Sequence, residues 1–147
     1  MNKYKVTKKF GHDRGYSCAF RQWKAQSDCK YLHGYSLAFE ITLCSEKLNE
    51  HNWVYDFGDF EFLKTWLKDN FDHKLIVAED DPELELIMKL DKSMANINVV
   101  SKISCEAFAK MTFEFIENHI KTLSDELTVE YVTVSEHQAN SATYSKK

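Results

Sequence analysis

Residues 35–44 alternate without a break, and this stretch constrains the fold more than any other. Tyr35, Leu37, Phe39, Ile41 and Leu43 fall on one side of a period-two register. Ser36, Ala38, Glu40, Thr42 and Cys44 fall on the other. A strand of this kind buries one face and wets the other, as in an antiparallel sheet covered on one side. The cover is encoded further along. Residues 104–123 carry Phe108, Met111, Phe115 and Ile116 at helical spacing, with Ser104 suited to cap the first turn and Glu106 to its positive end. A second helix is expected over 59–70, where Phe60, Leu63 and Leu67 form an apolar stripe and Asp59 stands at the capping position. Pro82 predicts the first turn of a short helix over 80–90.

Further strands are expected over 3–10, 16–20, 53–57 and 127–135, with a bend or bulge over 11–15 between the first two. In the last strand Leu127, Val129, Tyr131 and Thr133 oppose Val132 and Val134. Strands first, then a helix, then a long helix and a closing strand make an α+β domain with helices on one face of an antiparallel sheet.

The chain has 147 residues, the size of one domain, and its four glycines and one proline leave no flexible linker to divide it. Aromatics at 14% point to a packed sheet, a pocket for a flat ring, or extensive subunit contacts. A net charge of -4 without a basic stripe argues against nucleic acid as a partner, and Lys3, Lys5, Lys8 and Lys9 read as a solvated strand edge. No apolar run has the length of a membrane span, so no membrane partner is expected. The four cysteines at 18, 29, 44 and 105 form no C-x-x-C pair, which argues against a zinc knuckle; reduced thiols in the cytosol are the expectation.

Reactive residue types gather at four places. Cys29-Lys-Tyr-Leu-His33-Gly-Tyr35 sets a thiol and an imidazole in a loop before the alternating strand, and a cysteine beside a cation or histidine can ionise near neutral pH and act as base or nucleophile. Asp72-His73 follows the first helix, where a carboxylate can fix the tautomer of an imidazole for acid–base work. Ser104-Cys105-Glu106 opens the long helix, whose free N–H groups favour a polar or anionic ligand. Glu136 ends the last strand, where a carboxylate can accept two hydrogen bonds from an amino-pyrimidine edge.

Taken in order, these segments resemble the 6-pyruvoyltetrahydropterin synthase / 6-carboxytetrahydropterin synthase family over nearly the whole chain. Tyr16-Ser-Cys-Ala-Phe20-Arg resembles a family segment ending Ala-Ala-His-Arg, and Cys29-Lys-Tyr-Leu-His33-Gly-Tyr35 resembles Cys-x-x-x-His-Gly-His. Val54-Tyr-Asp56-Phe-Gly-Asp59 resembles Val-x-Asp-Phe, and Phe71-Asp72-His73-Lys-Leu75 resembles Leu-Asp-His-x-Leu. Ser104-Cys-Glu106-Ala-Phe-Ala109 resembles Thr-x-Glu-x-x-Ala, and the segment from Glu136 to Tyr144 resembles a closing Glu-Thr segment with Ala-x-Tyr.

The resemblance implies a tunnelling fold: a four-stranded antiparallel sheet with two main helices on one face, self-associating into a barrel-like homo-oligomer with active sites between subunits. It implies a lyase acting on a pterin-type substrate, 7,8-dihydroneopterin triphosphate. Carried over by position, Cys29 is the base, Asp72 and His73 relay protons, Glu136 anchors the pterin, and Ser104 and Glu106 line its pocket. Zinc held by three histidines is the implied cofactor. Of those three only His33 remains, with Phe20 at the first position and Tyr35 at the third. Phe donates nothing to a metal, a Tyr phenol has a reference pKa of about 10, and a catalytic zinc normally takes about three protein ligands. Cys18, two residues before Phe20, and His12 are the nearby residues that could supply replacement donors. The same residues also fit a pterin- or purine-binding homologue with lost or altered catalysis, or a protein that keeps only the oligomeric scaffold.

Overall fold

The computed structural model describes residues 3–14 and 16–147. In chain order its elements are β1 (Tyr4–Phe10), β2 (Tyr16–Phe20), β3 (His33–Ser45), α1 (Glu61–Phe71), β4 (Lys74–Ala78), α2 (Leu84–Met88), β5 (Ile97–Val100), α3 (Cys105–Lys121), β6 (Thr128–His137) and β7 (Asn140–Tyr144). The long strand β3 is the spine. Its second half pairs with β1 from Tyr4↔Ser45 to Phe10↔Phe39, and its first half pairs with β2 from Tyr16↔Leu37 to Phe20↔His33. Strands β1 and β2 are thus two pieces of one edge, separated by a short 3-10 turn at His12–Arg14. This is the bend expected over 11–15, apart from Gly15, which lies outside the described residues.

On the other side β3 pairs antiparallel with β6, and β6 with β7. The antiparallel part of the sheet is four strands wide at β1, β3, β6 and β7, the last of them a strand the sequence reading did not include. Two parallel strands, β4 and β5, extend it beyond β2 and give seven strands among the described residues. Neither was expected. In β4 Ile76, Val77 and Ala78 are all buried, the continuous apolar run of a parallel strand, which has no period-two signal to read.

Leu37, Phe39, Ile41 and Leu43 are at most 1% exposed and form the core face of β3. They pack with Leu63, Leu67 and Phe71 of α1 and with Phe108, Phe113, Ile116 and Ile120 of α3. Fully burying one such side chain contributes about 1.5–3 kcal/mol. The buried stripe of α3 runs through Phe113, while Met111 and Phe115 are only half-buried; Phe115 instead stacks on Trp66 of α1 at 4.5 Å. The opposite sheet face is polar. Thr7 and Thr42 share a 2.6 Å hydrogen bond, Tyr131 donates to Glu40 at 2.9 Å, and Lys5 pairs with Glu130 at 2.9 Å.

Several local expectations need correction. Residues 53–57 form no strand. Asn49 Oδ1 accepts from the N–H groups of His51 and Trp53, and Asn52 adopts a φ of 65°, so side-chain bonding turns the segment into a loop. Asp59 does not cap α1. It lies in a 3-10 turn (Phe57–Asp59) capped by Asp56, whose Oδ1 accepts from the Gly58 N–H at 2.8 Å. Pro82 precedes α2 rather than opening it, because Asp81 already organises that turn by accepting from the Glu83 N–H at 2.9 Å. In β6 the register shifts between Thr42↔Tyr131 and Leu43↔Val129, so Glu130 is an extra residue. The bulge moves Tyr131 and Thr133 to the polar face and leaves Val129, Val132 and Val134 in the core.

Candidate active site

The N-terminal end of β3, the start of α3 and the β6–β7 hairpin enclose a cleft of about 360 Å³. It is lined by Cys29, Ser104 and Glu106, with Glu136 on the hairpin side and Phe20 and Tyr35 at its base. Four of the seven sequence-derived site residues therefore share one cavity. A second depression, of about 380 Å³, lies along the 47–59 loop and holds none of them.

Cys29 sits in a 3-10 turn, Asp28–Lys30, with its thiol exposed. The turn is tied down by backbone: the Gln22 N–H donates to the Cys29 carbonyl at 2.9 Å. The Gln22 side chain donates to the Ile103 carbonyl at 2.8 Å, one residue before Ser104. Gln22 thus couples the cysteine turn to the opposite wall, a role no sequence motif advertises. Ser104 caps α3 as expected, its Oγ accepting from the Ala107 N–H at 2.9 Å, and Glu106 is exposed in the first turn.

Glu136 lies within β6, which runs on to His137 and turns back into β7, rather than ending the last strand. Asn140 Nδ2 donates to Glu136 Oε1 at 3.0 Å and steadies a half-buried carboxylate at the cleft rim. A carboxylate has about four acceptor positions, so this bond leaves both oxygens able to take further donors. Asn140 and β7 were not foreseen, because the strand Asn-Ser-Ala-Thr-Tyr is polar and short.

Asp72 and His73 touch directly, Asp72 Oδ1 to His73 Nδ1 at 2.8 Å, despite being sequence neighbours. The contact coincides with a left-handed backbone at His73, φ 58°, held by its N–H donating to the Ser17 carbonyl at 2.6 Å. With Nδ1 engaged by the carboxylate, Nε2 is the free nitrogen, and the imidazole is 82% exposed. The pair does not line the cleft of its own chain.

Phe20 stands opposite His33 in the β2–β3 register, and Tyr35 lies two residues further along β3 on the same face. The three positions form a tight triangle: Phe20 and Tyr35 rings stack at 3.9 Å and 2°, and the His33 and Tyr35 rings lie 4.4 Å apart. Burial pushes the Tyr35 phenol up to about 12, with the nearby Cys29 and Glu136 adding to it. Burial also pushes the Cys105 thiol up to about 11 and that of Cys18 up to about 12.

The family model for 6-pyruvoyl tetrahydropterin synthase matches residues 9–147. The chain belongs to this family. It is similar to the 6-carboxy-5,6,7,8-tetrahydropterin synthase of Rickettsia conorii, 29% identical over 117 residues that cover 73% of this chain and 82% of that protein. It is also similar to the enzyme of the same name from Aquifex aeolicus, 26% identical and covering 99% of both chains. Among solved structures, 6-pyruvoyl tetrahydropterin synthase from Plasmodium vivax superposes with a TM-score of 0.70 at 16% identity, covering 99% of both. An uncharacterized protein from Wolinella succinogenes gives a TM-score of 0.83 at 19% identity over the full length of both. These structural likenesses carry the tunnelling fold.

Within this synthase family fold, the corner formed by positions 20, 33 and 35 does not fit a zinc ion. Phe20 has no donor atom, and Tyr35 is a neutral phenol stacked upon it. His33, its Nδ1 engaged with the Tyr31 carbonyl at 2.8 Å, offers the corner a single donor, Nε2. The two replacement donors do not complete a set. Cys18 is buried, and His12, its Nδ1 bound to the Ser36 carbonyl at 2.6 Å, keeps Nε2 alone as a donor. Among the described residues no three His, Cys, Asp or Glu side chains gather at metal-binding spacing.

Proposed function

We propose that the protein is a 6-pyruvoyl/6-carboxytetrahydropterin synthase-type lyase that acts on a pterin bearing a phosphorylated side chain, of the 7,8-dihydroneopterin triphosphate class. The observation that supports this reading is the shared cleft, which Cys29, Glu136 and the start of α3 line together. Glu136 accepts from the 2-amino group and ring N–H of the pterin, a donor pair that a carboxylate matches with two parallel bonds. Ser104 and Glu106 form the wall beside the ring. Cys29, as thiolate, removes a proton from a side-chain carbon next to the ring.

The electron pair of the broken C–H bond forms a C=C bond as the adjacent C–O bond to triphosphate breaks, Cys29 keeps the proton it took, and a proton taken up elsewhere on the pterin is delivered by His73, oriented by Asp72. Because that pair lies outside the cleft of its own chain and the His73 imidazole is largely exposed, it serves the cleft of a neighbouring copy. A barrel-like homo-oligomer supplies such a neighbour. Among the described residues strands β1 and β7 each pair along one edge, and an unpaired edge is an open template for pairing. Edge-to-edge association of copies closes the sheet and leaves its polar face inside.

The Phe20–Tyr35 stack favours a second reading, a pterin- or purine-binding homologue whose catalysis is lost or altered. Turnover separates the two. The purified protein is incubated with 7,8-dihydroneopterin triphosphate and triphosphate release is followed, for wild type and Cys29→Ala. The synthase reading predicts release by wild type and a loss of about 100-fold or more in the variant, the usual cost of removing a general base. Pterin binding without release by the wild type establishes the second reading instead.

A further inference from the structure

The corner at positions 20, 33 and 35 lacks the donors for a three-ligand metal site. What replaces them is ordered. Phe20 is 5% exposed, stacked on Tyr35 and met edge-on by Phe108 at 5.3 Å and 85°. The plane of the Tyr35 ring is thereby fixed from below. Among the described residues the tyrosine hydroxyls that hydrogen-bond are those of Tyr55 and Tyr131, and not that of Tyr35. It is not sealed away either, since no buried side-chain oxygen or nitrogen among the described residues lacks a partner, and Tyr35 lines the cleft. The result is a preorganised, unused O–H donor in the same cavity as Cys29 and Glu136. A phenol is neutral at physiological pH and donates without being consumed.

We propose that Tyr35 does the polarising work at this corner, its phenol donating a hydrogen bond to an oxygen on the side chain of a pterin whose ring is held by Glu136. The inference rests on the reading of the cleft as a pterin site. A fixed donor aimed at an oxygen that gains negative charge when a neighbouring proton leaves stabilises that charge without any metal. It also sets a ligand requirement: an oxygen must sit on the side chain close to the ring. Tyr35 touches the ligand in this account, while Phe20 is a positioning residue that holds the phenol ring.

The test is binding of two fluorescent probes, neopterin and unsubstituted pterin, to the full chain. Wild type, Tyr35→Phe and Glu136→Gln are compared, each with and without added zinc sulfate followed by dialysis. Tyr35→Phe keeps the ring stack and its melting temperature reports intact folding. The expected result is about three- to tenfold weaker neopterin binding in Tyr35→Phe, the cost of one hydrogen bond, with pterin binding unchanged. Glu136→Gln is expected to weaken both probes, and dialysed protein to retain far less than one zinc per chain. Unchanged neopterin binding in Tyr35→Phe, or equal losses for both probes, overturns the assignment. So does stoichiometric zinc that disappears in His33→Ala. Wild type that binds neither probe refutes the pterin cleft itself, and Tyr35's role with it; binding that depends on Glu136 but not on Tyr35 refutes only the latter.

Discussion

Removing Arg21 isolates a buried charge. Arg21 follows Phe20 at the end of β2, and its guanidinium forms a bidentate pair with Asp81, Nε to Oδ2 at 2.9 Å and Nη2 to Oδ1 at 2.6 Å. The Asp81 side chain is 2% exposed and that of Arg21 22%. Arg21 holds the Asp81 carboxyl below the usual carboxylate range, against the opposing effect of burial. In Arg21→Met the carboxylate keeps, among the described residues, the Glu83 N–H as its one donor. Breaking a buried pair from one side costs roughly 3–5 kcal/mol, and the partial exposure of Arg21 places this case near 3. For a domain of this size each kcal/mol moves the melting temperature by about 2–4 °C, so a fall of roughly 6–12 °C is expected at pH 7. The sign with pH follows from the depressed carboxyl. The stabilisation is fully present above the unfolded value near 3.9 and is lost as pH falls through the lower folded value. The gap between wild type and variant should therefore narrow below about pH 4. Adding Asp81→Asn to Arg21→Met should recover part of the loss, since it removes the orphaned charge. Thermal melts of the three proteins across pH check this. A single variant that melts within about 2 °C of wild type at pH 7, or a gap that widens in acid, refutes the reasoning.

Phe71 is fully buried and touches Phe39, Phe108 and Trp66 with ring centroids 5.1–5.9 Å apart, so Phe71→Ala should cost about 3–5 kcal/mol in urea unfolding, the cost of a large cavity. Ser104→Ala removes one cap bond from α3 and should cost about 1 kcal/mol, seen as a drop of a few degrees in melting temperature.

Much of this architecture was legible in the chain. The alternation of residues 35–44 gave both the spine strand and its buried face, because a one-residue slip would have put Leu37, Phe39 and Ile41 in water. Ser104 marked the start of α3 because a side-chain cap acts over three residues and needs no tertiary information. The missed strands lie where tertiary pairing decides. Strand β4 is apolar on both faces, β5 spans only Ile97–Val100, and β7 is polar, so none carries an amphipathic period. The bulge at Glu130 reverses the faces of β6 mid-strand, which the sequence of β6 alone cannot reveal.

The cleft divides in the same way. Cys29, Ser104, Glu106 and Glu136 were found through the order of their motifs, and the fold brings all four to one cavity. Gln22 and Asn140 were missed, because their work is to bond a carbonyl and a carboxylate that are neighbours only after folding. The parallel stacking of Phe20 on Tyr35 likewise follows from the register of β2 on β3, which composition and motif do not encode.

A crystal structure of the protein soaked with 7,8-dihydroneopterin tests the central claim most directly. The account predicts the pterin ring in the 20–35–104–136 cleft, with both Glu136 oxygens within about 3 Å of the ring's amino and N–H groups. A ring bound elsewhere, or lying in the cleft with Glu136 turned to solvent, would contradict it.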